Sequence, residues 1–252
     1  MAEIGTEYGI TLARKPEFLL IGLITVPHKD SKLVLSYPAF GPNYFKNNLA
    51  KMQESYSDPE GNEITFREPT TSESISAAAY NFEELAKKQI FNPRWLQAGY
   101  IVRTSEGVYA NPPNDPKGNI ITNESQLRAL IEKSEKIKVG KGHIYLGEND
   151  FGFAPYETFT RNIQYAETFA QGGLARILEH TSEEAHNLKA MASTYTQGVN
   201  VWGFDNIQEP VVRVACLNSN RVSGGLGVGG GDWDGDGGCA FGVRRAVPQH
   251  CQ

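Results

Sequence analysis

The sequence predicts an α+β protein, and three observations carry that prediction. Apolar runs of strand length recur between turn residues, two stretches hold apolar residues at three- and four-residue spacing, and the chain after Gly198 turns to β-formers and glycine. Taken in order, residues 18–26 (FLLIGLITV) and 32–37 read as strands joined by the turn Pro27-His28-Lys29-Asp30-Ser31. From Ser72 to Ile90 the residues Ile75, Ala78, Ala79, Phe82, Leu85, Ala86 and Ile90 mark one face of a helix, which Asn92-Pro93 stops. Residues 99–104 and 108–110 flank Ser105-Glu106-Gly107 and read as a hairpin.

Residues 111–119 (NPPNDPKGN) hold three prolines and a glycine, so they predict a surface loop. A second helix starts at Asn123, an N-cap residue with Gln126 three positions on, and runs to about 138–140 with Leu127, Leu130 and Ile131 inward. Residues 143–146 then form a strand and 147–150 a turn. Residues 158–192 predict two or three helices, with Ile163, Ala166, Ala170, Leu174, Ile177, Ala185 and Leu188 on the inner face. Gly172-Gly173 and Thr181-Ser182 interrupt them, and Thr181 with Glu184 reads as a capping box. Strands follow at 199–204 and 211–217, and 10 of the 21 residues from Val222 to Gly242 are glycine. Such a stretch orders only if neighbours hold it; Trp233, Phe241 and Val243 argue that it packs.

Composition narrows the function classes. The chain has 252 residues, 40% hydrophobic and 21% charged, which is a globular profile rather than a disordered or coiled-coil one. Its net charge of −5, and the interruption of its densest basic run (Lys133 to Lys141) by Glu135, argue against nucleic acid as a partner. The 18–26 run is about half the ~20 residues a membrane helix needs, and Pro27-His28-Lys29-Asp30 follows it where a secretory signal carries small residues. Neither membrane insertion nor a signal peptide is expected. Cys216, Cys239 and Cys251 fit neither a zinc ribbon nor a C-x-x-C pair, leaving open a Cys216–Cys239 bridge or three free thiols.

Signals for chemistry are sparse. Asp232, Asp234, Asp236 and Gly237 spell the first half of a calcium loop, but Val243 occupies the place of its closing Glu. Glu183-x-x-His186 is a single helical pair where di-metal bundles need two. His28, His143, His180 and His250 suggest no triad, and neither Gly-x-Ser-x-Gly nor a phosphate-binding loop occurs. The residues alone leave three readings open: a binding module, a structural domain holding a cation through Asp232, Asp234 and Asp236, or an enzyme of unknown class, for which Cys239 and His186 are the residues to test.

The C-terminal segment carries a resemblance. Gly230-Gly231-Asp232-Trp233 resembles the G-G-x-W strand, and Gly242-Val243-Arg244 the closing G-[FV]-R, of C-type lectin folds of the formylglycine-generating-enzyme type. Trp202 with Gly203 and Phe204 stands where that fold has an upstream aromatic strand. Within the group, the segment from Arg213 to Arg244 is most similar to the variable proteins of diversity-generating retroelements, whose C-terminal codons are rewritten at adenines. Rewritten Asn codons become chiefly Gly, Asp and Ser, and from Asn218 to Gly238 nearly every non-apolar position is Gly, Asp, Ser or Asn. The likeness covers about the last 50 residues closely and about the last 110 loosely, so it divides the chain into an N-terminal α+β region (1–140) and a C-type lectin-like domain (141–252) with a variable segment at 218–238.

The resemblance implies a non-enzymatic ligand-binding protein that takes a protein or surface glycan as target, needs no cofactor, and is displayed on a virion or cell surface. Formylglycine-type chemistry needs a reactive cysteine pair or a copper site, which Cys239 by itself does not supply. Asn218, Asn220, Ser223, Gly225, Gly227, Asp232, Asp234 and Asp236 are the expected displayed positions, because they alternate with Val222, Leu226, Val228 and Trp233. Trp202, Trp233 and Arg244 are the expected scaffold.

Overall fold

The computed structural model describes residues 19–80, 95–220, 224–231 and 238–245. Strands β1 (Leu19–Leu20), β2 (Gly22–His28), β3 (Ser31–Tyr37) and β4 (Phe40–Asn43) open it, followed by helix α1 (Phe45–Met52). The short strands β5 (Tyr56–Ser57), β6 (Glu63–Ile64) and β7 (Phe66–Arg67) lead into α2 (Thr71–Ala79). Next come β8 (Trp95–Arg103), β9 (Gly107–Ala110), α3 (Glu124–Glu132), β10 (Glu135–Val139), β11 (Gly142–Leu146) and β12 (Gly152–Pro155). Strand β13 (Asn162–Gln164) precedes α4 (Ala166–Gln171), α5 (Gly173–Glu179) and α6 (His186–Ser193). The chain ends in β14 (Val199–Trp202), β15 (Val211–Asn220), β16 (Gly225–Gly229), β17 (Gly238–Ala240) and β18 (Val243–Arg244).

The protein is of the mixed α+β class. Its main sheet runs β10-β11-β12-β9-β8-β15-β16-β14-β13, with β17 and β4 attached beside β8. A four-stranded sheet, β2-β3-β18-β7, and a three-stranded one, β1-β5-β6, complete the pairing among the described residues. The main sheet is covered on both faces at its centre. Along β15, Ala215 and Leu217 join the core under the helices, while Val214 and Cys216 join a second core with Phe40, Phe45 and Phe66. This is the two-residue alternation of a strand put to use on both sides.

The boundary expected at 140/141 falls in the turn of the β10–β11 hairpin, and β8 and β9 from the first part sit between β12 and β15 from the second. Strands from both sides of 140/141 therefore share one sheet.

Local signals behave unevenly. Thr70 and Glu73 form the capping box that starts α2, and Asn123 Oδ1 accepts from Gln126 N at 3.2 Å to start α3. Helix α2 is buried from Thr71 to Ala78 rather than along one stripe, because β8, α5, α6 and β2 all pack on it. Its hydroxyls stay bonded: Thr71 to Leu178 O, Ser72 to Glu179 O and Ser74 to Ala98 O. The remainder of the helix expected to Ile90 lies outside the described residues.

Three expectations fail locally. Helix α3 stops at Glu132, and residues 135–139 pair with 142–146 instead, closed by a two-residue turn with Gly140 at φ +58°. Ile163 lies on the edge strand β13, 59% exposed, instead of on an inner helical face. Thr181 caps nothing, since its Oγ1 accepts from Glu183 N in a turn and α6 begins only at His186. No helix among the described residues is long and apolar enough to cross a membrane.

Candidate functional site

The expected variable positions divide into buried scaffold and residues beyond description. Ser223, Asp232, Asp234 and Asp236, with the scaffold candidate Trp233, lie outside the described residues. Gly225 and Gly227 are buried in β16, between β15 and β14, so the expectation that they are displayed is corrected. A Cβ at Gly225 would meet the main-chain oxygen of Gly198 at 2.8 Å, and one at Gly227 would overlap the side chain of Asn218 across the ladder. Gly225 is required by close approach to the main chain, while a Cβ at Gly227 demands only that the Asn218 amide move. Asn218 itself is half-buried, and its Oδ1 is shielded from solvent with no hydrogen-bond partner among the described residues. Asn220 ends β15 opposite Gly225.

Of the scaffold residues, Trp202 lies edge-on to Trp95 with ring centroids 5.3 Å apart. Arg244 lies 3.6 Å from the Asp58 carboxylate. Cys216 and Cys239 are both buried, and no bridge joins them to each other. Burial pushes the Cys216 thiol up to about 12, which leaves it without thiolate character at neutral pH. His186 is 72% exposed and Glu183 is exposed beside it, and no group of three or more His, Cys, Asp or Glu gathers among the described residues.

The strongest concentration of unusual geometry lies elsewhere. Six non-glycine residues have positive φ among those described, and Lys29, Asn111, Asn149, Asp150 and His180 are five of them. They come from the β2–β3 turn, the end of β9, the β11–β12 turn and the C-cap of α5, and they converge on the start of α2. Lys29 Nζ lies 2.5 Å from Asp150 Oδ1, and Thr70 Oγ1 donates to Asp150 Oδ2 at 2.6 Å. His180 Nδ1 stands 3.4 Å from both Lys29 Nζ and Asp150 Oδ1, with its Nε2 at 2.9 Å from Gly147 O. Asn111 donates to Thr71 Oγ1 and Asp150 O and accepts from Thr71 N, all within 3.0 Å.

Burial pushes the Asp150 carboxyl up, but the bonds from Lys29 and Thr70 and the charges of Lys29 and His180 together hold it below its ordinary value. Nearby, His28 accepts or shares a proton with Ser76 Oγ at 2.9 Å; burial first, then Lys29, lowers its affinity for protons.

Two recesses flank the loop at 111–114. One, of about 410 Å³, lies between that loop, the end of α3 and the turn at 147–149, with Lys133 and Glu148 on its walls. The other, of about 430 Å³, is walled by Leu49, Tyr100 and Ile120 and by Pro69 and Pro112. Glu68, Thr70, Asn111 and Asn114 also line it, beside the phenol of Tyr100. Glu68 is exposed, and partial desolvation by the walls beside it pushes its carboxyl up to about 7. The hydroxyl of Thr70 and the amide of Asn111 are committed to the node just described. The sequence places Lys29, Asn111 and Asn149-Asp150 in a turn at 27–31, a loop at 111–119 and a turn at 147–150; Asn and Asp at positions that tolerate positive φ are the local signal of the node.

Comparison with protein-family models, with curated proteins and with solved structures returned no match for this chain.

Proposed function

We propose that this chain is a non-enzymatic binding protein that presents a variable polar surface on a C-type lectin scaffold, with a protein or surface glycan as its target. The observation that carries the reading is the contrast within one hairpin. In β16, Gly225 is walled in by the main chain of Gly198 and Gly229 by the Trp202 indole, whereas Asn218, directly across from Gly227, leaves a shielded oxygen unbonded among the described residues. A buried acceptor without a partner costs about 1–3 kcal/mol. Such a cost at a polar position beside an over-determined strand fits a residue set by diversification rather than by packing. The motif resemblance around Gly230 to Trp233 and Gly242 to Arg244 supports the same assignment, and the unreactive Cys216 thiol supports a role without cysteine chemistry.

Two measurements test it. Sequencing downstream of the gene is expected to find a near-copy of the stretch coding residues 218–238 that differs only where the copy has adenine; its absence overturns the diversification. In thermal melts, Asp234→Ala and Asp236→Ala leave Tm unchanged. Gly229→Ala places a Cβ against the indole of Trp202, itself packed on Trp95, and costs about 1–3 kcal/mol. The reverse pattern would show that the aspartates belong to the scaffold.

A further inference from the structure

The recess around Glu68 offers a binding site independent of the variable surface. Among the described residues, the cationic groups nearest to it are paired with other carboxylates. Arg67 gives both arms of its guanidinium to Glu73, at 2.6 and 2.8 Å, and Lys29 is taken by Asp150, with His180 beside that pair. Of Glu68, Arg67 Nη1 reaches the main-chain oxygen, at 3.0 Å, and not the carboxylate. The Glu68 carboxylate thus has no cationic partner among the described residues and stands exposed at the mouth of an open recess of about 430 Å³, a size within the range of small-ligand sites. Asn114 is the other polar side chain there with no hydrogen bond among the described residues, and its amide oxygen is a second acceptor. The remaining walls, Leu49, Tyr100, Ile120 and the two prolines, offer apolar surface of the kind that covers a methylene stem.

We propose that this recess binds an alkylammonium group, with Glu68 as counter-ion, Asn114 as second acceptor and the apolar walls holding the stem. An anion is disfavoured by the charge of Glu68, and a neutral ligand gains no ion pair from it. The desolvation that raises Glu68 adds to the same conclusion, since a bound cation restores its charged form.

The test titrates the whole chain at pH 8 with n-butylammonium chloride, with Nα-acetyl-lysine methylamide, and with n-butanol as the neutral control. At that pH Glu68 is mostly ionised and an ammonium, with a pKa of about 10.4, keeps its proton. Both amines are expected to saturate one site, to weaken at least tenfold in Glu68→Gln, and to lower the Glu68 midpoint followed by carboxyl carbon NMR. Asn114→Ala, which keeps the charge, is expected to weaken binding less. If the lysine derivative binds more than tenfold tighter than butylammonium, the natural source is a lysine side chain of a partner; equal affinities point to a free amine. Equal binding of n-butanol, unchanged affinity in a folded Glu68→Gln, or a Glu68 midpoint indifferent to amine each overturns the proposal.

Discussion

At the scale of single residues, Asp150 does the most to hold the unusual geometry together. It accepts from Lys29 and Thr70 and stands at φ +61°, a conformation that Asn tolerates as well as Asp. Asp150→Asn therefore removes the charge without adding backbone strain. A hydrogen bond to a charged group is worth about 1.5–3 kcal/mol, and a loss of that order is expected in denaturant unfolding at pH 7. The pH dependence has a definite sign. Because the folded carboxyl is held below its unfolded value of 3.8, its stabilisation is present above that value and is lost as pH falls through the folded one. The gap between wild type and Asp150→Asn should accordingly close as the solution is acidified below pH 3.8; a gap that persists would mean that the charge is not the stabilising feature. Glu68 has the opposite sign: its raised folded value makes stability fall as pH rises from 4.5 through about 7. Glu68→Gln should remove that slope and melt higher than wild type at pH 8, with no difference at pH 4.

At the scale of elements, caps decide which sequence signals were legible. Asn123 and Thr70 cap their own helices through bonds spanning three residues, so both starts could be read from neighbouring residues. Thr181 had the same spacing to Glu184, yet that glutamate pairs with Lys189 at 2.7 Å. The free amides at the start of α6 are met instead by Glu179, which accepts from Asn187 N at 2.9 Å and Leu188 N at 3.1 Å from the end of the preceding helix. Glu179→Ala leaves those amides buried and unmet, and a loss of about 1–2 kcal/mol is expected by analogy with other N-caps; Thr181→Ala should cost less than half as much. Melting both variants side by side checks the ranking. The misreading of β10 as helix has a similar source. Lys136, Ile137, Lys138 and Val139 fit either period over so short a span, and pairing with β11 chose the strand.

At the scale of the whole molecule, β8 and β15 share the longest ladder of the main sheet, although its paired residues Arg103 and Val211 stand 108 positions apart. The expected N-terminal and C-terminal parts are thus paired strand to strand, and both contribute to the core under the helices. Unfolding in guanidinium should be a single transition, with tryptophan fluorescence and far-UV circular dichroism coincident. Two separated transitions would show that the halves retain independent stability.

What the sequence by itself determined is local. Composition and hydrophobic periodicity established the α+β class, the first strand pair, the hairpin before the proline-rich loop and two helix starts, because each depends on residues within a few positions of one another. The tertiary structure alone decided that Gly225 and Gly227 are buried, since what lies over them is Gly198, just before β14, and Asn218 on β15. It also decided the recess and the node. Lys29, Glu68, Thr70, Asn111, Asp150 and His180 meet only after the sheet and helices have closed, and the desolvation and pairing that set their charges do not exist in the extended chain.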